Sequence, residues 1–88
     1  MYEMELTKRV MKFIDSLNSK EKINIAKALE KLCENPFKND LNIKKLKGYK
    51  GVYRLRVDNY RLLYRVKKDV LIIFIFNANY RKDIYRRL

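Results

Sequence analysis

The segment "VYRLRVDNYRLLYRV", residues 52–66, decides the fold because its apolar and charged residues alternate. Alternation with a period of two is typical of β-strands that bury one face. The polar pair Asp58-Asn59 interrupts the pattern and suits a two-residue hairpin turn with positive φ. This turn also sets the register, which places Arg56 directly opposite Arg61. The face predicted to be buried consists of Tyr53, Leu55, Val57, Tyr60, Leu62 and Tyr64.

The opposite face of this hairpin carries arginines, namely Arg54, Arg56, Arg61 and Arg65. Like charges directly across from each other destabilise a pair of strands. A solvated sheet face, which is the alternative, normally mixes threonine, lysine and glutamate. We therefore expect this face to bind an external anion, and a phosphate group fits the planar guanidinium bidentately.

The N-terminal half predicts a short strand followed by a hairpin of two helices. Residues 2–6 alternate, and Thr7 can cap a first helix whose apolar residues are spaced along one face. Asn18 or the residue after it begins a second helix, in which Glu21 can complete a capping box. Pro36 ends this helix, since the residue before a proline disfavours helical backbone.

Three more strands are predicted in the C-terminal half, at about residues 52–57, 60–67 and 70–77. Residues 38–51 are expected to form a basic connection before them. The run "VLIIFIF" is continuously apolar, which favours a central strand covered on both faces. The chain, residues 1–88, is therefore predicted to be one α+β domain with an N-terminal strand, a two-helix hairpin and a three-stranded antiparallel meander. One sheet then carries both helices on one face.

Charge is distributed unevenly along the chain, whose net charge is +12. Residues 1–43 hold 8 basic and 7 acidic side chains, whereas residues 44–88 hold 14 and 3. A basic half on an otherwise balanced domain indicates a surface for a polyanion, most often a nucleic acid. Adaptation to heat is the alternative, but it relies on ion pairs of mixed sign, and the basic half has few acids to form them.

The residue content excludes several kinds of site. The chain has no histidine and one cysteine, so an internal disulfide cannot form and the usual acid–base group at neutral pH is missing. We expect Cys33 to be a small buried hydrophobe. The N-terminus lacks the apolar core of a targeting signal, and the apolar run at 70–76 is too short for a bilayer. We therefore expect a cytoplasmic protein.

Tyrosines accompany the basic residues. Tyr49, Tyr80 and Tyr85 lie in basic stretches that are expected to be exposed, where their rings can stack on unpaired bases of single-stranded RNA. The predicted RNA-binding residues are Lys45, Lys47, Tyr49, Lys50, Arg65 and Tyr80.

The segment "IKKLKGYKGVYRLRVDNYRLLYRV", followed by an apolar strand and "NYRKDIYRR", resembles the RelE/ParE toxin superfamily and is most similar to its RelE branch. The resemblance covers the whole chain and implies the toxin of a type II toxin–antitoxin pair. It implies ribosome-dependent cleavage of mRNA, in which the ribose 2′-hydroxyl attacks the adjacent phosphate without a metal or other cofactor. It also implies a RelB-like antitoxin as partner, with a heterotetramer as the expected complex.

The resemblance places the catalytic residues at Arg54, Arg56, Arg61, Arg81 and Tyr85. Relatives often have lysine where this chain has the first two arginines, or a histidine or glutamate in the site. Arginine stays protonated at neutral pH, so neither can act as general base. We expect the arginines to stabilise the transition state electrostatically and Tyr85, made more acidic by nearby cations, to transfer the proton.

Two other functions remain open at this point. A ParE-like toxin would bind DNA gyrase without catalysis, which the dense basic face and the presence of Tyr85 disfavour. A module whose chemistry has decayed would only bind a nucleic acid or a partner, and the arginines at both paired strand positions keep this possibility open.

Overall fold

The computed structural model describes residues 1–37 and 40–80, which form two helices and one sheet of five strands. In chain order the elements are β1 (Glu3–Leu6), α1 (Lys8–Asp15), α2 (Ser19–Glu34), β2 (Asn42–Lys45), β3 (Val52–Val57), β4 (Tyr60–Lys67) and β5 (Ile72–Tyr80). The strands lie in the order β1-β5-β4-β3-β2, so β1 and β2 form the two edges. Arg81 and Tyr85 lie outside the described residues.

The predicted helix caps are confirmed. The Thr7 hydroxyl accepts a hydrogen bond from the Val10 amide at 3.2 Å and begins α1. At the start of α2, the Asn18 side chain accepts from the Glu21 amide at 2.9 Å, and the Glu21 carboxylate accepts from the Asn18 amide at 3.1 Å. This reciprocal pair satisfies two amides that a helix start leaves without partners. The helix ends before Pro36, as predicted.

The hairpin register is also confirmed. In the β3–β4 pair, Val57 lies opposite Tyr60 and Arg56 lies opposite Arg61. Asp58 has a φ of 51°, which is the left-handed backbone that the turn needs. The Asn24 amide donates to the Asp58 carboxylate at 3.0 Å, so α2 contacts this turn directly.

The predicted three-stranded meander is part of a larger mixed sheet. Residues 42–45, predicted to lie in a basic connection, form the edge strand β2, which is antiparallel to β3. The N-terminal strand β1 joins the other edge and runs parallel to β5. The last turn spans residues 68–71, so β5 begins and ends later than predicted. Strand β2 was missed because it has four residues, three of them polar, and it owes its conformation to pairing with β3.

Both helices pack on one face of the sheet, and this face contains the main core. Leu55, Leu62, Tyr64, Ile73 and Ile75 point toward the helices and are fully buried. The hydroxyl of Tyr64 donates to the carbonyl of Pro36 at 2.8 Å and so connects the end of α2 to the sheet. Neither helix in the described part of the chain is long and apolar enough to span a membrane.

Candidate nucleic-acid interface

Three predicted arginines meet on the sheet face that lies opposite the helices. Arg56 and Arg61 are directly opposed across β3 and β4, and Arg54 is two residues before Arg56 on the same strand face. We call these three residues the arginine cluster. Arg54 and Arg61 are each only 8% exposed. The long apolar stem of an arginine can lie along neighbouring side chains, which allows this degree of burial.

The contacts of Arg54 show how the edge strand supports the cluster. Its Nη2 atom donates to the side-chain oxygen of Asn42 at 2.8 Å, and Asn42 lies opposite Arg56 in the β2–β3 register. The Nε atom of Arg54 is buried and has no hydrogen-bond partner within residues 1–37 and 40–80. Asn42 is a neutral acceptor, so it orients the guanidinium without cancelling its charge. An arginine held in this way is well suited to a phosphate oxygen.

A basic loop adjoins the cluster. Lys45, Lys47 and Tyr49 are exposed, and with Lys44 and Leu46 they line a depression of about 300 Å³ that Arg54 also borders. Gly48 and Gly51 have φ values of 86° and 73°, which turn the loop back onto β3. Three predicted RNA-binding residues, Lys45, Lys47 and Tyr49, therefore lie beside a member of the arginine cluster.

Arg65 lies on the same sheet face, farther along β4. Its Nη1 atom donates to the carbonyl of Lys50 at 3.1 Å, which connects the basic loop to this strand. Its guanidinium carbon lies 5.8 Å from the centroid of the Phe76 ring. Arg65 is exposed and is therefore available to solvent and to a ligand.

Tyr80 lies on the other side of the sheet. It is opposite Tyr60, a core residue, and its ring centroid is 5.7 Å from that of Phe13 on α1. Half of Tyr80 is exposed, as the sequence predicted, but the sheet separates its ring from the arginine cluster. The geometry thus does not bring Tyr80 together with the other predicted RNA-binding residues.

Two pairs of residues on the sheet face that carries the arginine cluster were not predicted from the sequence. Asn42 and Lys44 project toward the arginines from β2, and the polar alternation of "NIKK" was the signal that would have found them. Phe74 and Phe76 lie on the same face of β5 and are partly exposed, whereas the prediction had this strand covered on both faces. Coverage of a continuously apolar strand cannot be read from that strand alone.

Comparisons with known proteins identify the fold and the family. A family model for the ParE toxin of the type II toxin–antitoxin system parDE matches residues 4–85. The protein named RelE1 of Methanocaldococcus jannaschii is 34% identical over 86 residues, which cover 97% of this chain and 96% of that protein.

Solved structures give the same result. The RelB–RelE antitoxin–toxin complex from Methanococcus jannaschii contains a chain that is 30% identical, with a TM-score of 0.75 and coverage of 94% of this chain and 96% of that one. The archaeal RelE–RelB complex from Pyrococcus horikoshii OT3 matches with a TM-score of 0.80 and 25% identity, covering 91% of this chain and 94% of that one. The arrangement of two helices on one face of a sheet is thus similar to that of RelE chains.

Proposed function

Since the chain belongs to the ParE toxin family of type II toxin–antitoxin systems, we propose that it arrests growth by cleaving mRNA on translating ribosomes in the cytoplasm. The observation that carries this proposal is the arginine cluster, which combines three guanidinium groups on a sheet face that neither helix of residues 1–37 and 40–80 covers. Buried, preorganised cations stabilise negative charge more strongly than solvated ones because surrounding water screens them less.

The proposed reaction needs this concentration of charge. The ribose 2′-hydroxyl attacks the adjacent phosphorus, so a bond forms to the 2′-oxygen while the bond to the 5′-oxygen of the next nucleotide breaks. Negative charge accumulates on the phosphate oxygens in the transition state, where Arg56 and Arg61, together with Arg81 of the tail, would stabilise it. A protonated guanidinium cannot remove the 2′-hydroxyl proton, so we assign removal of this proton to the ionised hydroxyl of Tyr85. The 5′-oxygen that leaves the phosphorus takes up a proton from water.

We propose a RelB-like antitoxin as the partner, in a heterotetramer of two toxins and two antitoxins. The similar chains from M. jannaschii and P. horikoshii were solved as complexes with RelB. The net charge of +12 favours an acidic partner segment through faster encounter and through neutralisation. A segment that neutralises the arginine cluster would compete with RNA, which gives a physical basis for inhibition.

Cleavage of mRNA during translation in a purified system tests the proposal. We expect cuts in translated mRNA, little cleavage of the same RNA without ribosomes, and a roughly 10²- to 10³-fold slower reaction for Arg61→Ala. Lys27→Ala is the matched control, because Lys27 is an exposed cation on α2. Intact mRNA with every variant, including the wild-type chain, would refute the nuclease assignment.

The family model carries the name ParE, which makes inhibition of DNA gyrase the second candidate function. A supercoiling assay run beside the cleavage assay separates the two functions. Blocked supercoiling with intact mRNA would support gyrase inhibition, and growth arrest with neither effect would refute both. No growth arrest on expression without the antitoxin would indicate a decayed module that only binds.

Tyr85→Phe tests the assignment of the proton-transfer group. We expect slower cleavage on the ribosome and unchanged affinity for RNA, because the substitution removes only the hydroxyl. If affinity and cleavage fall together, Tyr85 stacks on a base and does not transfer the proton.

A further inference from the structure

The outer sheet face has a second zone beside the arginine cluster. Phe74 and Phe76 project from β5 onto this face, with ring centroids 6.2 Å apart and ring planes inclined by 25°. Phe76 also packs on Val52 and Leu63, a small apolar cluster separate from the main core. Both rings are partly exposed, and neither helix of the described chain lies on this side of the sheet. Apolar surface that is gathered at one place and left partly exposed can mark a binding site.

Each ring is accompanied by an exposed cation. The Arg65 guanidinium carbon lies 5.8 Å from the Phe76 centroid, and the Lys67 ammonium lies 5.7 Å from the Phe74 centroid. Both distances are near the outer limit of a cation–π contact, so these flexible side chains can move to a phosphate at little cost. Aromatic faces beside mobile cations are the combination that binds single-stranded nucleic acid, through stacking and backbone contacts.

We propose that Phe74 and Phe76 form a stacking platform for an unpaired base of the substrate mRNA, while Arg65 and Lys67 hold its phosphates. This proposal rests on the proposed function and extends the site along β4. Arg61 and Arg65 are four residues apart on one strand, which corresponds to about 13 Å. A nucleotide advances by about 3.4 Å in a base-stacked strand and by more in an extended one, so the platform would receive a base at most about four nucleotides from the cleaved phosphate.

Two carboxylates at the β1 edge of the sheet restrict the path that an RNA backbone can take across the platform. Glu5 lies beside Phe74 in the β1–β5 register, and Glu3 lies beside Ile72, so both carboxylates are on the outer face. Both are exposed and would repel phosphates. The RNA backbone would therefore run along β4, with the base reaching across to β5. An acidic peptide would bind the same cations but would gain nothing from base stacking, so the experiment separates the two.

Fluorescence of a base analogue tests the platform directly. An eight-nucleotide RNA, made uncleavable by 2′-O-methyl groups, carries 2-aminopurine at one position in each of a series of oligonucleotides. We expect the full-length wild-type toxin to quench the analogue most strongly at one position, that of the base that stacks on Phe74 and Phe76. Equal quenching along the whole oligonucleotide would overturn the proposal.

Leucine variants identify the rings responsible. We expect Phe74→Leu and Phe76→Leu to weaken RNA binding roughly fivefold to tenfold, at the lower end of the effect of losing a stacked base, because leucine keeps the apolar contacts. Phe37→Leu is the matched control. Phe37 is a partly exposed ring with the Lys68 ammonium 4.9 Å from its centroid, and it contacts Tyr53 on the helix side of the sheet. Its variant should bind RNA like the wild type.

Salt dependence distinguishes stacking from charge. The leucine variants should keep the wild-type slope of log affinity against log salt, whereas Arg65→Gln should reduce its magnitude by about one. Phe74→Tyr and Phe76→Tyr should bind RNA with the wild-type affinity, because tyrosine keeps the aromatic ring. Thermal melts of the leucine variants show whether these variants are folded. Wild-type affinity in folded leucine variants, or equal loss with an acidic peptide as ligand, would refute the platform. Because binding is measured without ribosomes, the result is independent of whether the chain cleaves mRNA.

Discussion

The two faces of the sheet are built from the same strands but differ in packing and in charge. Leu62 and Leu63 are adjacent in β4 and both are fully buried, but Leu62 belongs to the main core and Leu63 to the small cluster on the outer face. The helix-covered face is closely packed and apolar. The outer face places arginines opposite each other, which does not favour folding. The main core therefore lies on one face, and the candidate site, to which we assign the proposed function, lies on the other.

The largest expected effect is a loss of stability, and it should differ between alanine variants of Leu62 and Leu63. Leu62→Ala should lower the free energy of unfolding by about 2–5 kcal/mol, since it leaves a cavity between the sheet and both helices. Leu63→Ala should fall at the low end of this range, because the small cluster is open to solvent at its rim and can relax around the deletion. Denaturant unfolding measures both changes. A larger loss for Leu63→Ala would show that the outer face carries the stability.

Arg54→Met, in contrast, should leave the free energy of unfolding unchanged or raise it. Arg54 is a buried cation with a neutral partner, and replacing buried ionic groups by apolar residues of similar volume is often neutral or stabilising by about 1–4 kcal/mol. We expect thermal stability to be unchanged or higher, while RNA binding and cleavage fall. Lys27→Met on α2 is the control for losing a charge. A clear loss of stability in Arg54→Met would place Arg54 with the structural residues.

The sequence predicted the helix-covered face better than the outer one. Periodicity predicted the helices, residue type predicted the caps at Thr7 and Asn18, and the two-residue turn predicted the hairpin register. All three signals depend on local backbone chemistry. The pairing of β1 with β5 depends on residues about 70 positions apart, which no local pattern encodes.

The candidate site was predicted in the same uneven way. Alternation identified Arg54, Arg56 and Arg61, because strand partners on one face follow from the turn. In "NIKK" the alternation extends over only four residues, too few to predict that Asn42 lies on a strand, and β2 forms through its pairing with β3. Tyr80 was predicted to bind RNA because it lies in a basic stretch, and such a stretch indicates exposure but not the side of the sheet on which the ring lies.

Tyr64→Phe tests the covered face with a smaller change. Removing the hydroxyl leaves the Pro36 carbonyl buried without its partner, so we expect a loss of about 1–3 kcal/mol at neutral pH. Burial, followed by the nearby Tyr53, raises the pKa of Tyr64 above its ordinary value.

The raised pKa predicts how this loss depends on pH. Tyr64 ionises at a lower pH in the unfolded chain than in the folded protein, because only folding raises its pKa. The Tyr64 hydroxyl therefore makes its full contribution to the free energy of unfolding below about pH 10, and this contribution is lost as the pH rises further. The difference in unfolding free energy between wild type and Tyr64→Phe should therefore shrink above pH 10, by up to about 1.4 kcal/mol per pH unit. Denaturant titrations at pH 7, 9 and 11 measure it. A constant difference would mean that Tyr64 ionises in the folded protein as readily as in the unfolded chain.

Asn42→Ala should have the smallest effect on stability and is the most specific test of the comparison. Asn42 is exposed on an edge strand, so its loss should change the unfolding free energy by less than about 0.5 kcal/mol. Its side-chain oxygen nevertheless accepts a hydrogen bond from Arg54, which we propose to contact the RNA, so we expect cleavage to slow measurably while the free energy of unfolding is unchanged. Asn42→Asp is the informative counterpart, because a carboxylate keeps the hydrogen bond but neutralises Arg54. If the aspartate variant cleaves as fast as the wild type, the charge of the outer face is not what the reaction uses.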